Sequence, residues 1–238
     1  MSAAAQHEGA PVRKPDWGVA WSRGLVVSCQ PVPGGPLDRD DIVLAMAQAA
    51  AQSGACAVRI EGVQRVALVA RQLAVPVVGI VKRTSADSPV FITPTVADVQ
   101  ALAQAGAAVV AFDGTQRPRP APVPALAAAA RAAGAAAMAD CATLADGLLA
   151  WQAGCALVGT TLSGYTAETA VPGDAEPDWQ LIRDLAGHGV RVVAEGRLRT
   201  PAQAAQALQQ GALCVTVGSA ITRIEHITQW FVQALREA

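Results

Sequence analysis

The chain has 238 residues, of which 52% are hydrophobic and 16% charged, so it can bury a sizeable core and is not a disordered protein. Its net charge of -1, from 18 Lys and Arg against 19 Asp and Glu, argues against a general nucleic-acid binder. An uninterrupted apolar run of about 18 residues does not occur, so we expect no membrane span, and the first residues carry no apolar signal core.

The cysteines and histidines indicate neither a disulfide framework nor a metal site. The five cysteines are odd in number and widely spaced, which is typical of reduced thiols in the cytoplasm. The three histidines lack metal-ligand spacing, and no nucleotide-binding loop follows the first predicted strand. We therefore expect no metal and no cofactor.

Continuous apolar runs recur along the chain and predict buried parallel strands, which are covered on both faces. Several runs follow a Gln-x-Gly phrase, such as Gln104-Ala105-Gly106, in which the glycine is expected to close a helix. In chain order, the predicted strands are Leu25–Gln30, Ala57–Ile60, Val77–Lys82, Val109–Asp113, Ala136–Asp140, Leu157–Thr161, Val192–Gly196 and Cys214–Ser219.

Helical stretches separate these runs, and three of them have marked starts. Thr95, Thr143 and Thr200 are each followed three residues later by an acid or amide, which predicts N-terminal capping. Eight strands alternating with helices predict an α/β fold, a single-domain (β/α)8 TIM barrel over residues 25–238. Residues 1–24 are expected to form a partly flexible N-terminal segment. The alternative is an open doubly wound sheet, which usually has fewer strands.

Each predicted strand ends in a group that forms hydrogen bonds or ionises. In a (β/α)8 barrel these ends meet at one mouth, where the chemistry takes place. Any single such residue is, by itself, an ordinary solvated loop residue; the convergence of all of them is what indicates a site. The ends are Gln30, Arg59, Lys82, Asp113, Asp140, Thr160-Thr161, Glu195 and Ser219.

A phosphate site is expected between the last two strands. Gly196 and Gly218 allow backbone N–H groups to approach an anion, and Arg197 and Arg223 add positive charge nearby. The alternative is that both glycines only make tight turns. In the long segment after strand six, Tyr165 is a candidate substrate contact, because such segments often act as lids.

The strand-end phrases together resemble the N-acetylmannosamine-6-phosphate 2-epimerase family, and the resemblance extends from Gly24 to the C-terminus. The phrases are Val27-Ser28-Cys29-Gln30, Val58-Arg59-Ile60-Glu61-Gly62-Val63, Gly79-Ile80-Val81-Lys82-Arg83, Asp113-Gly114-Thr115, Gly159-Thr160-Thr161-Leu162-Ser163-Gly164-Tyr165-Thr166, Ala194-Glu195-Gly196-Arg197 and Val217-Gly218-Ser219-Ala220-Ile221-Thr222-Arg223. The resemblance implies a cytoplasmic barrel enzyme that interconverts N-acetylmannosamine 6-phosphate and N-acetylglucosamine 6-phosphate in amino-sugar and sialic acid catabolism.

The resemblance also implies residue roles. Lys82 would be the base that transfers the C2 proton and Glu195 its acidic partner. The sugar would contact Gln30, Arg59 and Asp140, to which we add Thr160 and Tyr165 as candidates. The phosphate would contact Gly196, Arg197, Gly218, Ser219 and Arg223. The expected partner is a small phosphorylated amino sugar, and a homodimer is expected because such barrels often associate.

Three questions stay open at the level of sequence. A Schiff-base phosphosugar aldolase or lyase would also place a lysine at a barrel strand end. A barrel that binds ligand without turnover would predict the same mouth. Whether Lys82 alone serves both faces of C2, or shares them with Glu195, does not follow from the residues.

Overall fold

The computed structural model describes residues 21–172 and 175–238. Within those residues, eight parallel strands pair in sequence order and the last pairs with the first, which closes a barrel. The strands are β1 (Leu25–Ser28), β2 (Ala57–Glu61), β3 (Val77–Ile80), β4 (Val109–Asp113), β5 (Ala136–Asp140), β6 (Leu157–Gly159), β7 (Val192–Glu195) and β8 (Cys214–Val217). The predicted single-domain (β/α)8 barrel is confirmed, and the open sheet is excluded.

The helices lie between the strands and continue beyond β8. They are α1 (Asp40–Gln52), α2 (Val63–Gln72), α3 (Val96–Gln104), α4 (Val123–Ala132), α5 (Leu144–Gln152), α6 (Trp179–Gly187), α7 (Pro201–Gln209), α8 (Ser219–Thr222) and α9 (Ile224–Glu237). Within the described ranges, none of these helices combines the length and apolar character needed to cross a bilayer.

Local sequence signals explain where the helices begin and end. The side chains of Thr95, Thr143 and Thr200 each accept a hydrogen bond from the backbone N–H three residues on, as predicted. The glycine of the recurring Gln-x-Gly phrase has a positive φ, for example +99° at Gly106, which allows the chain to leave the helix.

Several strands end before the predicted position. Gln30, Lys82, Thr161 and Gly196 lie beyond the last residues of their strands, where the chain turns into the following loop, and Ser219 is the first residue of α8. At Lys82 the backbone instead forms an antiparallel bridge with Ile92. These five residues therefore lie outside the sheet at the barrel mouth, where they border the cavity described below.

The core has two layers. One lies between the barrel and the helices, and the other fills the barrel interior with side chains from alternate positions of the strands. Trp21, just before β1, is fully buried in the interior layer. The first strand begins at Leu25, and residues 1–20, which include Trp17 and most of the segment predicted to be flexible, lie outside the described residues.

Candidate active site

A cavity of about 660 Å³ opens at the C-terminal ends of the strands. Strand ends from opposite sides of the barrel contribute to its wall, as expected when parallel strands close into a barrel. Most of the predicted site residues line it: Gln30, Arg59, Lys82, Tyr165, Glu195, Gly196, Arg197, Gly218, Ser219 and Arg223. Asp140 and Thr160 do not, and their positions are explained below.

A buried ion-pair network forms the floor of this cavity. Arg59 on β2 donates to both carboxylate oxygens of Asp140 on β5, with 3.1 Å from Nη1 to Oδ1 and 2.6 Å from Nη2 to Oδ2. Its Nη1 also donates to Oε2 of Glu195 on β7, at 2.8 Å. Asp140 is fully buried beneath Arg59, so it fixes the guanidinium rather than facing the cavity.

Lys82 reaches the cavity from the loop after β3, and its side chain remains accessible from the opening. Partial burial, together with the positive charges of Arg59 and Arg223, lowers the pKa of Lys82 below its ordinary value. Glu61 and Glu195 oppose this shift. A lysine with a lowered pKa carries more of the neutral amine at neutral pH, which is the form that accepts a proton.

Glu195 lines the same cavity and has the opposite shift. Burial raises the pKa of its carboxyl group to about 7, against the attraction of Arg59, and the negative charge of Asp140 adds to the increase. Arg59 has one guanidinium for two buried carboxyl groups. With a pKa of about 7, Glu195 readily takes up or releases a proton near neutral pH.

The two threonines after β6 have different places. Successive side chains of an extended segment point to opposite faces. Leu157 belongs to the interior layer, so Thr161 has the same direction and lies between Asp140 and Glu195, with 2.6 Å from Thr161 Oγ1 to Asp140 Oδ1. Thr160 points the other way, and its hydroxyl bonds to the backbone of Glu195, donating to the carbonyl and accepting from the N–H. The alternation of side-chain directions along β6 and the two residues after it is the sequence signal that favours Thr161 over Thr160 as the cavity residue.

The predicted phosphate end lies between β7 and β8. Gly218, Ser219 and Arg223 border the cavity there, and the Nε of Arg223 donates to the carbonyl oxygen of Gln30 at 2.8 Å. That bond joins the loop after β1 to the residue between α8 and α9, and it holds the Nε side of the Arg223 guanidinium in place. Gly196 has a φ of +109°, a conformation that suits glycine in the turn after β7.

Arg197, another predicted phosphate ligand, is largely engaged elsewhere. Its guanidinium donates to the carbonyl oxygens of Ser163 and Glu176 and lies over the ring of Tyr165, 5.7 Å from the centroid. These contacts all belong to the segment between β6 and α6. Arg197 therefore holds this segment against the turn after β7, although its side chain also borders the cavity.

Three further residues line the cavity that the sequence did not single out. Arg199 lies over the indole of Trp230 at 5.5 Å, and His226 stands on the same helix, α9, as that indole. No local pattern identifies them: Arg199 lies between β7 and α7, and α9 brings His226 and Trp230 to the mouth only in the folded chain. They extend the wall beyond Arg223, so the cavity is longer than the strand ends alone imply.

Fold and site together define a class: a (β/α)8 barrel with an ionisable, partly buried site at the C-terminal mouth, which is where barrel enzymes bind their substrates. The chain belongs to the N-acetylmannosamine-6-phosphate epimerase family. The family profile described as "Putative N-acetylmannosamine-6-phosphate epimerase" matches residues 43–237.

Curated relatives and a solved structure agree with this assignment. Proteins named "Putative N-acetylmannosamine-6-phosphate 2-epimerase" from Edwardsiella ictaluri and Shigella dysenteriae are 58% and 54% identical to this chain. The first alignment covers 89% of both chains, and the second covers 94% of this chain and 96% of the relative. The structure of the N-acetylmannosamine-6-phosphate 2-epimerase from Clostridium perfringens has a TM-score of 0.87 and 35% identity, and the match covers 98% of this chain and 100% of that one.

Proposed function

We propose that this protein is an epimerase that interconverts N-acetylmannosamine 6-phosphate and N-acetylglucosamine 6-phosphate by proton transfer at C2. The observation that carries the proposal is that Lys82 and Glu195 line one cavity, with Arg59 beneath them and Arg223 at its phosphate end. The name of the Clostridium perfringens protein, whose structure this fold matches, supports the same substrate.

The reaction needs the open-chain form of the sugar, in which C2 lies beside the C1 aldehyde. A base removes the C2 proton, the C–H electron pair delocalises onto the aldehyde oxygen, and an enolate forms. Return of a proton to the other face of C2 gives the epimer. Lys82, whose pKa is lowered, is suited to accept and return this proton.

The other site residues have roles that follow from their positions. Glu195, with a pKa raised to about 7, is suited to exchange a proton with the ring or aldehyde oxygen, and Arg59 to stabilise negative charge on the enolate. Gln30 and Tyr165 contact the sugar, while Asp140 and Thr160 support that contact through Arg59 and the Glu195 backbone. Gly196, Gly218, Ser219 and Arg223 bind the phosphate, with Arg197 ordering the adjacent segment.

A direct experiment is NMR spectroscopy of N-acetylmannosamine 6-phosphate with the pure protein in D2O. We expect the gluco epimer to appear with deuterium at C2, and the Lys82→Ala variant to lose both signals. N-acetylmannosamine without phosphate should react poorly, because the phosphate supplies binding energy remote from C2. Formation of no epimer by wild-type protein, or turnover by Lys82→Ala at the wild-type rate, would reject the proposal.

A Schiff-base aldolase or lyase is the alternative, since it would also use Lys82 in this cavity. The chain has two lysines, Lys14 and Lys82, so trapping with borohydride is easily located by mass spectrometry. We expect no covalent adduct on Lys82 in the presence of the phosphosugar. Lys14→Ala is the matched control, because it leaves Lys82 as the lysine available for trapping.

The cytoplasm is the compartment that we propose for this enzyme. All five cysteines are free thiols, and burial raises the pKa of Cys29 to about 12, which keeps that thiol protonated. Titration of the thiols of protein isolated under non-reducing conditions tests this. We expect five free thiols per chain after unfolding.

A homodimer formed through α9 is also part of the proposal. The helix has no buried residue, and Ile224, Phe231 and Leu235 are 61%, 69% and 77% exposed. Large apolar side chains at such exposure on a single helix favour association. Sedimentation should give a dimer for wild type and a monomer for Leu235→Glu, with Gln233→Glu as the control on the same helix. A monomeric wild type would reject this part of the proposal.

A further inference from the structure

Thr161 lies between two carboxyl groups that compete for one cation. Its Oγ1 is 2.6 Å from Oδ1 of Asp140 and 3.3 Å from Oε2 of Glu195. A threonine hydroxyl carries one proton, so it donates fully to only one acceptor at a time. Asp140 is the nearer acceptor, and Glu195 is also within hydrogen-bond distance, so the hydroxyl is shared between them.

The barrel leaves space for this hydroxyl at a neighbouring position. Gly159, the last residue of β6, has no side chain, and a Cβ there would lie 2.8 Å from Thr161 Oγ1 and 3.0 Å from Asp140 Oδ1. It would also lie 2.7 Å from Cε of Met138. Both partners of the 2.6 Å bond between Thr161 and Asp140 therefore lie next to Gly159. A side chain at this position would force them to move.

The Thr161 hydroxyl matters because one buried guanidinium faces two carboxyl groups. Arg59, 2% exposed, faces Asp140 and Glu195, so full ionisation of both carboxyl groups leaves a buried excess of negative charge. Asp140 accepts two bonds from Arg59, whereas Glu195 accepts one from Arg59, and the Thr161 hydroxyl lies within reach of both carboxyl groups. The Thr161 hydroxyl stabilises the ionised form of Glu195 and so lowers the pKa of that carboxyl group, against the effect of burial.

We propose that Thr161 is a positioning residue for the proposed reaction, whose hydroxyl lies between Asp140 and Glu195 and stabilises the ionised form of Glu195, the carboxyl group that exchanges a proton in the cavity. The part of this role that concerns catalysis rests on the proposed function. The ionisation that it predicts is a property of the folded protein and is measurable without substrate.

Ionisable groups on several elements face Glu195 and share in its titration. They are Arg59 on β2, Lys82 after β3, Asp140 on β5 and Cys214 on β8. Replacing Thr161 by Val changes none of these groups. It removes a hydrogen-bond donor from Glu195, so the ionised form of Glu195 becomes less stable and its carboxyl group binds a proton more tightly.

The test is a pH titration by NMR of protein labelled with 13C at the glutamate carboxyl carbons. The Glu195 resonance is identified by its loss in Glu195→Gln. In Thr161→Val we expect its midpoint to rise by about one pH unit, since a hydrogen bond to a charged group is worth about 1.5 kcal/mol or more and one unit corresponds to about 1.4 kcal/mol. Thr161→Ser, which keeps the hydroxyl, should return the midpoint to the wild-type value.

Thr143→Val is the matched control, because it removes a hydroxyl that caps α5 away from the carboxyl pair. It should leave the midpoint unchanged. If Thr161→Val does not fold, as judged by circular dichroism, Thr161→Ala serves in its place. An unchanged or lowered midpoint in the folded variant, or a Thr161→Ser midpoint displaced like that of Val, would overturn the inference.

The activity arm separates this inference from the proposed function. With N-acetylmannosamine 6-phosphate, the limb of the kcat/KM profile that is lost in Glu195→Gln should move upward in Thr161→Val, together with the NMR midpoint. Absence of turnover by wild-type protein would reject the proposed function but leave the NMR result to decide the role of Thr161. A profile that falls in height without moving, while the NMR midpoint also stays fixed, would show a merely structural role.

Discussion

The guanidinium of Arg59 and the carboxylate of Asp140 form a two-point ion pair beneath the cavity, with distances of 2.6 and 3.1 Å. Both side chains are removed from water, at 2% and 0% exposure. The third bond of this guanidinium goes to Glu195, which lines the cavity. Asp140 thus acts on the cavity through Arg59, by setting the direction of that third bond.

Loss of the Asp140 charge should destabilise the fold. In Asp140→Asn, Arg59 remains buried with its charge poorly compensated, so the free energy of unfolding should fall by about 3–5 kcal/mol. Urea denaturation measures the change. Asp41→Asn is the matched control, because Arg39 and Asp41 form an ion pair at 2.8 Å on the exposed surface. Equal urea midpoints for the two variants would contradict a structural role for the buried pair.

Glu195 should make wild-type stability depend on pH. Its folded pKa of about 7 lies above the ordinary value, so between those values the folded state holds a proton that the unfolded state has lost. The stability contribution is present at low pH and is lost as the pH rises toward 7. Glu195→Gln lacks this dependence.

The size of the effect follows from the shift. Stability of Glu195→Gln relative to wild type should increase by about 3 kcal/mol between acidic and mildly alkaline pH. Thermal or urea unfolding at several pH values measures it. Parallel stability profiles for the two proteins would contradict the raised pKa.

Two charge removals should move the titration of Lys82 in opposite directions. Arg223→Gln removes a positive charge that lowers the pKa of Lys82, so the pKa should rise. Glu61→Gln removes a negative charge that raises it, so the pKa should fall. The rising limb of the kcat/KM profile reports the amine, and each displacement is expected to be a fraction of a unit to about one unit. If the rising limb moved in the same direction in both variants, the electrostatic account would be contradicted.

Arg223→Gln should have a second effect that Glu61→Gln lacks. Arg223 borders the predicted phosphate end, so its loss should raise KM for the phosphorylated sugar by about tenfold or more, as expected for one charged hydrogen bond. The KM for the unphosphorylated sugar should change little. A similar KM increase for both sugars would contradict phosphate contact by this guanidinium.

Arg197→Ala should loosen the segment between β6 and α6. The guanidinium bonds to the carbonyl oxygens of Ser163 and Glu176, and alanine removes both contacts. Limited proteolysis should cut this segment several-fold faster in the variant, because cleavage follows local opening. Arg223→Gln is the control, because its guanidinium bonds to the carbonyl oxygen of Gln30 and not to this segment, and it should be cut like wild type. Unchanged cleavage in Arg197→Ala would show that Arg197 does not hold the segment.

Features set by neighbouring residues were predictable from the sequence. Apolar runs of strand length, the glycine at the helix end and the threonine caps depend on residues a few positions apart, and all are present in the barrel. Lys82 and Glu195 were also predictable as members of one mouth, since parallel strands in a closed barrel end on the same side.

The tertiary structure alone decided which side chains meet and what each one contacts. Arg59 is 81 residues from Asp140 and 136 from Glu195, so no local pattern encodes their shared network. It also gave Thr161, rather than Thr160, the place between the two carboxyl groups. The physical reason is that secondary structure follows from short-range backbone preferences, whereas hydrogen bonds and pKa values depend on distances that exist only after the barrel closes.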